Sequence, residues 1–351
     1  MSLLPTINFI HAQQVTSISR IASLALGALV LSLLLTPLYT RIAFKNEWWK
    51  KIRSNATTGE AAPVFHKLHE AKHKRHIPTM GGVVIIVTVV VITALFNLSR
   101  NQTWLPLFVL VMFGFMGLLD DISNVYRKAD NRGGLTPKTQ LVALIGLSAL
   151  AASWIYFKLG YTLIHIPAVG DFSIGWLYIP LFIAVVVSTT KAVSVTDGLD
   201  GLAGGLLSTA FGVYAIIAYF QGSYGLAGFC VAIVGAMLTY TWFNIFPARF
   251  FMGQTGSTAL GATLGTVAVL TNSVFVLPII GAVFVIEAGS SAIQIASKKL
   301  LKRKIFLSAP LHHHLEAIGW PETKVTMRLW VIGQVAGAIG LVLALLGDKT
   351  L

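Results

Sequence analysis

The chain has 351 residues, 55% of them hydrophobic and only 11% charged, with a mean hydropathy of +0.77. That is too apolar for a soluble domain, which must keep a solvated surface. The formal net charge of +13 would suit nucleic acid if the basic residues shared one soluble face. Instead they collect in alternate loops between apolar runs, which argues against a nucleic-acid partner and for a lipid bilayer.

Ten apolar runs follow along the chain, approximately over 18–43, 79–98, 104–119, 139–157, 174–190, 201–220, 225–242, 257–272, 274–297 and 327–346. Each approaches the roughly 20 residues that a helix needs to cross a hydrocarbon core about 30 Å thick. The expected fold is therefore an all-α integral membrane protein of about ten transmembrane helices, a single polytopic domain over 1–351. Short polar breaks at 221–224 and 272–274 are expected to turn the chain between adjacent spans. In 159–173, apolar and turn residues alternate, the pattern of a small β-hairpin. The lone cysteine, Cys230, excludes an intramolecular disulfide. Residues 1–17 lack the basic and small-residue features of a removable leader.

Basic residues crowd 44–78, 120–138 and 298–328, while the intervening loops hold little more than Arg100 and Lys158. By the positive-inside rule the basic loops face the cytoplasm, and an even span number places both termini outside. The first of these loops ends in KHKRHIPTMGG, where Lys72, Lys74 and Arg75 either meet phosphates or anchor the chain at anionic headgroups.

Polar residues with chemical potential sit at the ends of the apolar runs. The third run closes on GFMGLLDDISN, with Asp120 and Asp121 adjacent. Two carboxylates at a helix C-terminus oppose the macrodipole, a cost that a magnesium ion shared with substrate phosphates would offset. Solvated loop aspartates are the plain alternative. The next basic-side loop reads KAVSVTDGLDGLAGG, with Asp197 and Asp200 in a glycine-rich stretch that opens the sixth run. There, exposed N–H groups favour an anion. NIFPARFFMGQTGS carries a further turn with N–H groups suited to phosphate or nucleotide. The last such loop holds PLHHHLEAIGWPE. Successive helical side chains point about 100° apart, so His312, His313 and His314 cannot all ligate one metal. They suit phosphate contact or proton transfer, or an interfacial cluster at headgroups. Glu287, alone within the ninth run, is expected to face the protein interior.

In order and spacing, these four loops resemble the phospho-N-acetylmuramoyl-pentapeptide transferase branch of the polyprenyl-phosphate sugar-1-phosphate transferases, from about His69 to Trp330. Related N-acetylhexosamine-1-phosphate transferases share the aspartate loops but carry a differently built histidine segment. The resemblance implies a cytoplasmic cleft, a magnesium ion and commonly a homodimer. It further implies transfer of phospho-N-acetylmuramoyl-pentapeptide from its UDP carrier to undecaprenyl phosphate, with release of UMP. By motif position it makes Asp120 the residue that deprotonates or positions the lipid phosphate. Asp121 supports magnesium or substrate, and His313 joins them as a catalytic residue. It places Asp197, Gly198, Leu199, Asp200 and Phe251 at the uridine, and Lys74, Lys138, Asn244, His312 and His314 along the cleft. Three departures accompany it. Asn124 stands where a lysine is usual, and Lys191 and Ser194 replace two asparagines. Gln254 replaces the metal-binding aspartate; a glutamine carbonyl can ligate magnesium but lacks the charge that holds a hard cation strongly.

Overall fold

A computed structural model describes residues 4–49, 76–126 and 134–347. Most of them are helical: α1 (Leu4–Lys45), α2 (Gly82–Phe96), α3 (Trp104–Tyr126), α4 (Pro137–Ser153), α5 (Tyr178–Thr196), α6 (Leu202–Phe220), α7 (Tyr224–Asn244), α8 (Gly253–Leu270), α9 (Leu277–Ile280), α10 (Ala282–Leu300), α11 (Leu311–Ala317) and α12 (Glu322–Gly347). The expected hairpin forms from β1 (Leu163–Ile166) and β2 (Gly170–Ser173), antiparallel with Leu163 opposite Ser173. This is an all-α membrane protein with one small ribbon.

All ten apolar runs are helical, but the number fit to cross a bilayer is smaller than ten. Among the described residues, seven helices are long and apolar enough, or eight if the segments 274–280 and 282–300, bent by 81° at Gly281, count as one span. α2 has only 15 residues. α8 falls short for another reason: it is the centre of the bundle, packed between α3 and α5, and 17 of its 18 residues are buried. A helix that meets protein on every side has no need of a lipid-facing surface. It can carry glycine and threonine, whose hydroxyls bond back to its own carbonyls, as Thr263 does to Ala259 and Thr266 to Ala262. The outer helices show the opposite pattern, with Leu34, Val142, Trp176 and Val331 exposed where acyl chains would lie.

Two ends of the bundle differ. At one, the hairpin and the short turns interlock: the His165 N–H donates to the Asn272 side chain, Gln221 to the Thr271 carbonyl and Asn97 to the Gly225 carbonyl. At the other lie the C-terminal parts of α3 and α5, the start of α8, and α11. α3 approaches α8 so closely that a Cβ on Gly117 would sit 2.2 Å from the Gln254 carbonyl oxygen. Glycine at 117 therefore sets Asp120, one turn further on, beside the first turn of α8.

Candidate functional site at one end of the bundle

Asp120 and Asp121 are not loop residues. α3 runs on to Tyr126, so both lie within the helix and both are buried, at 4% and 0% exposure. The expectation of solvated carboxylates at a helix terminus is corrected here. The helix can continue because donors from other segments, rather than water, meet the charges. Asp120 Oδ1 accepts from the Leu135 N–H at 2.6 Å and from Gln140 Nε2 at 3.1 Å, and Oδ2 accepts from Asn124 Nδ2 at 3.1 Å. Gln140 is delivered by the first turn of α4, which starts with Thr136 capping the Thr139 N–H and proline at the next position.

Asp121 points the other way, onto the start of α8. Its Oδ2 accepts both the backbone N–H and the hydroxyl of Thr255, each at 2.9 Å. A carboxylate there satisfies an orphan donor of the helix N-terminus and complements its dipole. Gly253, at φ +70°, leaves room for it: a Cβ there would lie 2.3 Å from that oxygen.

A small pocket opens between α3, α4, α5 and α8. Its polar lining is Asp120, Gln140, Thr190, Lys191, Ser194, Gln254 and Thr258. Lys191 Nζ donates to Gln140 Oε1 at 3.1 Å, so a continuous chain of hydrogen bonds runs Lys191 to Gln140 to Asp120. Ser194 leans on Ser257 at 3.4 Å, and Gln254 Oε1 accepts from Thr258 at 3.4 Å. Gln254 is also the one residue of α8 that is not buried.

Six residues beyond Lys191, about 9 Å along the helix axis, α5 ends at Asp197. Gly198 faces His312, whose ring is fully buried. His312 Nδ1 and its backbone N–H both meet Glu287 Oε2, at 2.9 and 3.3 Å. His313 Nδ1 bonds Glu316 at 2.8 Å, and the His314 Nδ1 accepts from the Leu307 N–H. Each histidine thus has its own partner.

Several expected site residues act as braces. Asp200 accepts the Ala248 N–H, and its own N–H donates to Glu322. Asn244 accepts from the Gly201 N–H and donates to the Phe250 carbonyl. Both are buried and fasten three loops together instead of lining the pocket. Leu199 is buried beside them. Phe251 exchanges backbone hydrogen bonds with Pro78 and Gly81, which docks the PTMGG segment on the site. Lys138 is exposed at the start of α4, and Lys74 lies outside the described residues.

Comparison with known proteins decides the family. A family model described as glycosyl transferase family 4 matches residues 103–272, and a phospho-N-acetylmuramoyl-pentapeptide-transferase signature matches 74–86. A protein of that name from Geobacillus thermodenitrificans is 38% identical over 89% of this chain and 94% of its own. One from Chloroflexus aurantiacus is 37% identical over 96% and 93%. The chain belongs to the phospho-N-acetylmuramoyl-pentapeptide-transferase family.

In this family member, the three departures from the motif pattern converge in space. Lys191, Ser194 and Gln254 all line the Asp120 pocket, and Asn124 bonds Asp120 from behind. Magnesium is the group that the resemblance implies here, at Asp121 and Gln254. The donors suit it poorly. Asp120 spreads its oxygens over three N–H donors, Asp121 commits its Oδ2 to Thr255 and Gln254 offers only a neutral amide, while Lys191 brings a positive charge into the same space. A hard dication seeks several oxygen donors with negative charge among them, and a neighbouring ammonium opposes it. Among the described residues, no three His, Cys, Asp or Glu are grouped to hold a metal.

Reading the sequence alone missed Gln140, Glu287 as the partner of His312, and Glu316. Glu287 did leave a signal, since a lone carboxylate inside an apolar run is costly unless paired. Gln140 left none.

Proposed function

We propose that this protein transfers phospho-N-acetylmuramoyl-pentapeptide from UDP to undecaprenyl phosphate at the cytoplasmic face of a bacterial membrane, releasing UMP. The observation that carries this reading is the convergence of the aspartate, TDGLDG and histidine motifs at one end of a membrane-embedded bundle, where Gly198 meets His312 and the helix that ends at Asp197 brings Lys191 into the Asp120 pocket. One substrate is confined to the bilayer and the other is a soluble nucleotide, so the reaction belongs at an interface where both can reach one site. The basic loops flanking the site put that interface on the cytoplasmic side. The names of the relatives support the same transferred group, phospho-N-acetylmuramoyl-pentapeptide.

In the reaction, an oxygen of the lipid phosphate attacks the β-phosphorus of the UDP-sugar. A new P–O bond forms, the β-phosphorus–oxygen bond to the α-phosphate breaks, and the electron pair leaves on UMP. Asp120, held by three donors, orients the incoming phosphate or accepts its proton. Gly198 and Asp197, at the end of α5, receive the nucleotide, and His313, at the partly open edge of α11, meets phosphate. His312 is locked by Glu287 and fixes the loop that carries Gly198. Release of UMP by purified protein given undecaprenyl phosphate and UDP-N-acetylmuramoyl-pentapeptide tests this. Release from UDP-N-acetylglucosamine alone would reassign the sugar.

A further inference from the structure

Among the described residues, Lys191 is the only cation lining the Asp120 pocket, and Asp120 the only anion. Lys191 lies inside α5, which is long and apolar enough to span a membrane. An ionisable group at such a place is costly to keep and marks function more often than packing. It has no ion-pair partner among the described residues; its one hydrogen bond is to the neutral Gln140 Oε1, at 3.1 Å. An ammonium carries three N–H donors, so most of its binding capacity is left for a ligand.

The amide of Gln140 fixes the arrangement. Lysine can only donate and an ionised aspartate only accept, so a carboxamide placed between them must turn its oxygen to Lys191 and its NH2 to Asp120, as it does. This aims the ammonium into the pocket while keeping it from collapsing onto the carboxylate. Among the described residues, one positive and one negative group balance there, with Gln254 and Ser194 neutral beside them. A phosphate entering this space meets a ready cation, whereas a dication meets an ammonium and a carboxylate that already has three donors.

We propose that Lys191 is the resident phosphate-binding cation of this site and takes the place of the divalent metal implied at Gln254. The proposal rests on the transfer reaction given above. Lys191 holds a non-bridging phosphate oxygen of the substrate and stays protonated throughout; no proton or bond of its own changes as the β-phosphorus moves from UMP to the lipid phosphate. A pre-placed cation in a water-poor pocket is worth most where charge gathers in the transition state.

Full-length protein in detergent or lipid nanodiscs tests this by two independent readouts. The first is UMP release with magnesium against release in excess EDTA. The unmodified chain should keep its rate within about two-fold, Lys191→Gln should lose about 10²-fold or more, and Lys191→Arg should recover much of the loss. The second is titration with Mn2+ followed by electron paramagnetic resonance, which needs no turnover. The unmodified chain and Gln254→Asp should show no saturable binding, and Lys191→Asn combined with Gln254→Asp should gain it, together with metal-dependent turnover. Loss of turnover in EDTA, near-normal turnover in Lys191→Gln, or saturable Mn2+ binding to the unmodified chain that Gln254→Ala removes would each overturn the proposal. If no form releases UMP, the assigned reaction fails instead. The Mn2+ titration then decides the metal question alone: binding by the paired variant but not by the unmodified chain supports Lys191, and any other pattern rejects it.

Discussion

The imidazole of His312 rests directly on Gly198: a Cβ built on the glycine would lie 2.4 Å from Nε2. No real side chain tolerates that distance, and the ring cannot retreat, because Glu287 holds it from the other side at 2.9 Å. Gly198→Ala should therefore push α11 away from the end of α5. Overpacking of this kind costs about 1–3 kcal/mol. Thermal unfolding in detergent should show a modest loss of stability, while binding of the UDP-sugar falls far more. A variant with normal nucleotide affinity would show that the contact is not part of the site.

Glu287→Gln keeps the shape of that lock and removes its charge. The amide still meets His312 Nδ1 but no longer stabilises a protonated ring, and hydrogen bonds to charged groups contribute about 1.5–3 kcal/mol against roughly 1 for neutral ones. Turnover should fall by up to about tenfold per 1.4 kcal/mol lost at the reacting state, with expression retained. Unchanged turnover would make Glu287 a packing residue only.

Asp120 and Asp121 should separate cleanly, although they are neighbours in sequence. Asp121→Asn weakens two bonds to Thr255 at the start of α8. The expected result is lower thermal stability, by about 1–3 kcal/mol. Asp120→Asn alters a pocket residue held at the rim of the bundle, and turnover should drop by about 10²–10⁴-fold. If the two variants lose stability and turnover in the same proportion, the division of labour drawn here is wrong.

Topology can be tested with single cysteines, because the native Cys230 is buried and free. In sealed cells, Ser308→Cys, in the loop before α11, should react only with reagents that reach the cytoplasm. Val169→Cys, exposed at the tip of the hairpin, should react from outside. Reversal of either result would invert the assigned orientation.

Sequence by itself determined the medium, the helical class and the approximate positions of the helices, since a bilayer demands long apolar segments and places charge at their borders. The breaks at 221–224 and 272–274 and the hairpin were legible in it too. It failed where burial depended on partners. Asp120 and Asp121 look like surface carboxylates until Leu135, Gln140 and Thr255 are brought to them. α8 was taken for a lipid-crossing helix until its neighbours enclosed it. Asp200 and Asn244 pass for ligand contacts in a motif, and become braces once Ala248, Glu322, Gly201 and Phe250 stand beside them. The meeting of Lys191, Gln140, Asp120 and Gln254 joins four helices from distant parts of the chain. Local pattern carries no record of such pairings, because hydrogen bonds and charge balance in a pocket are properties of the packed helices together.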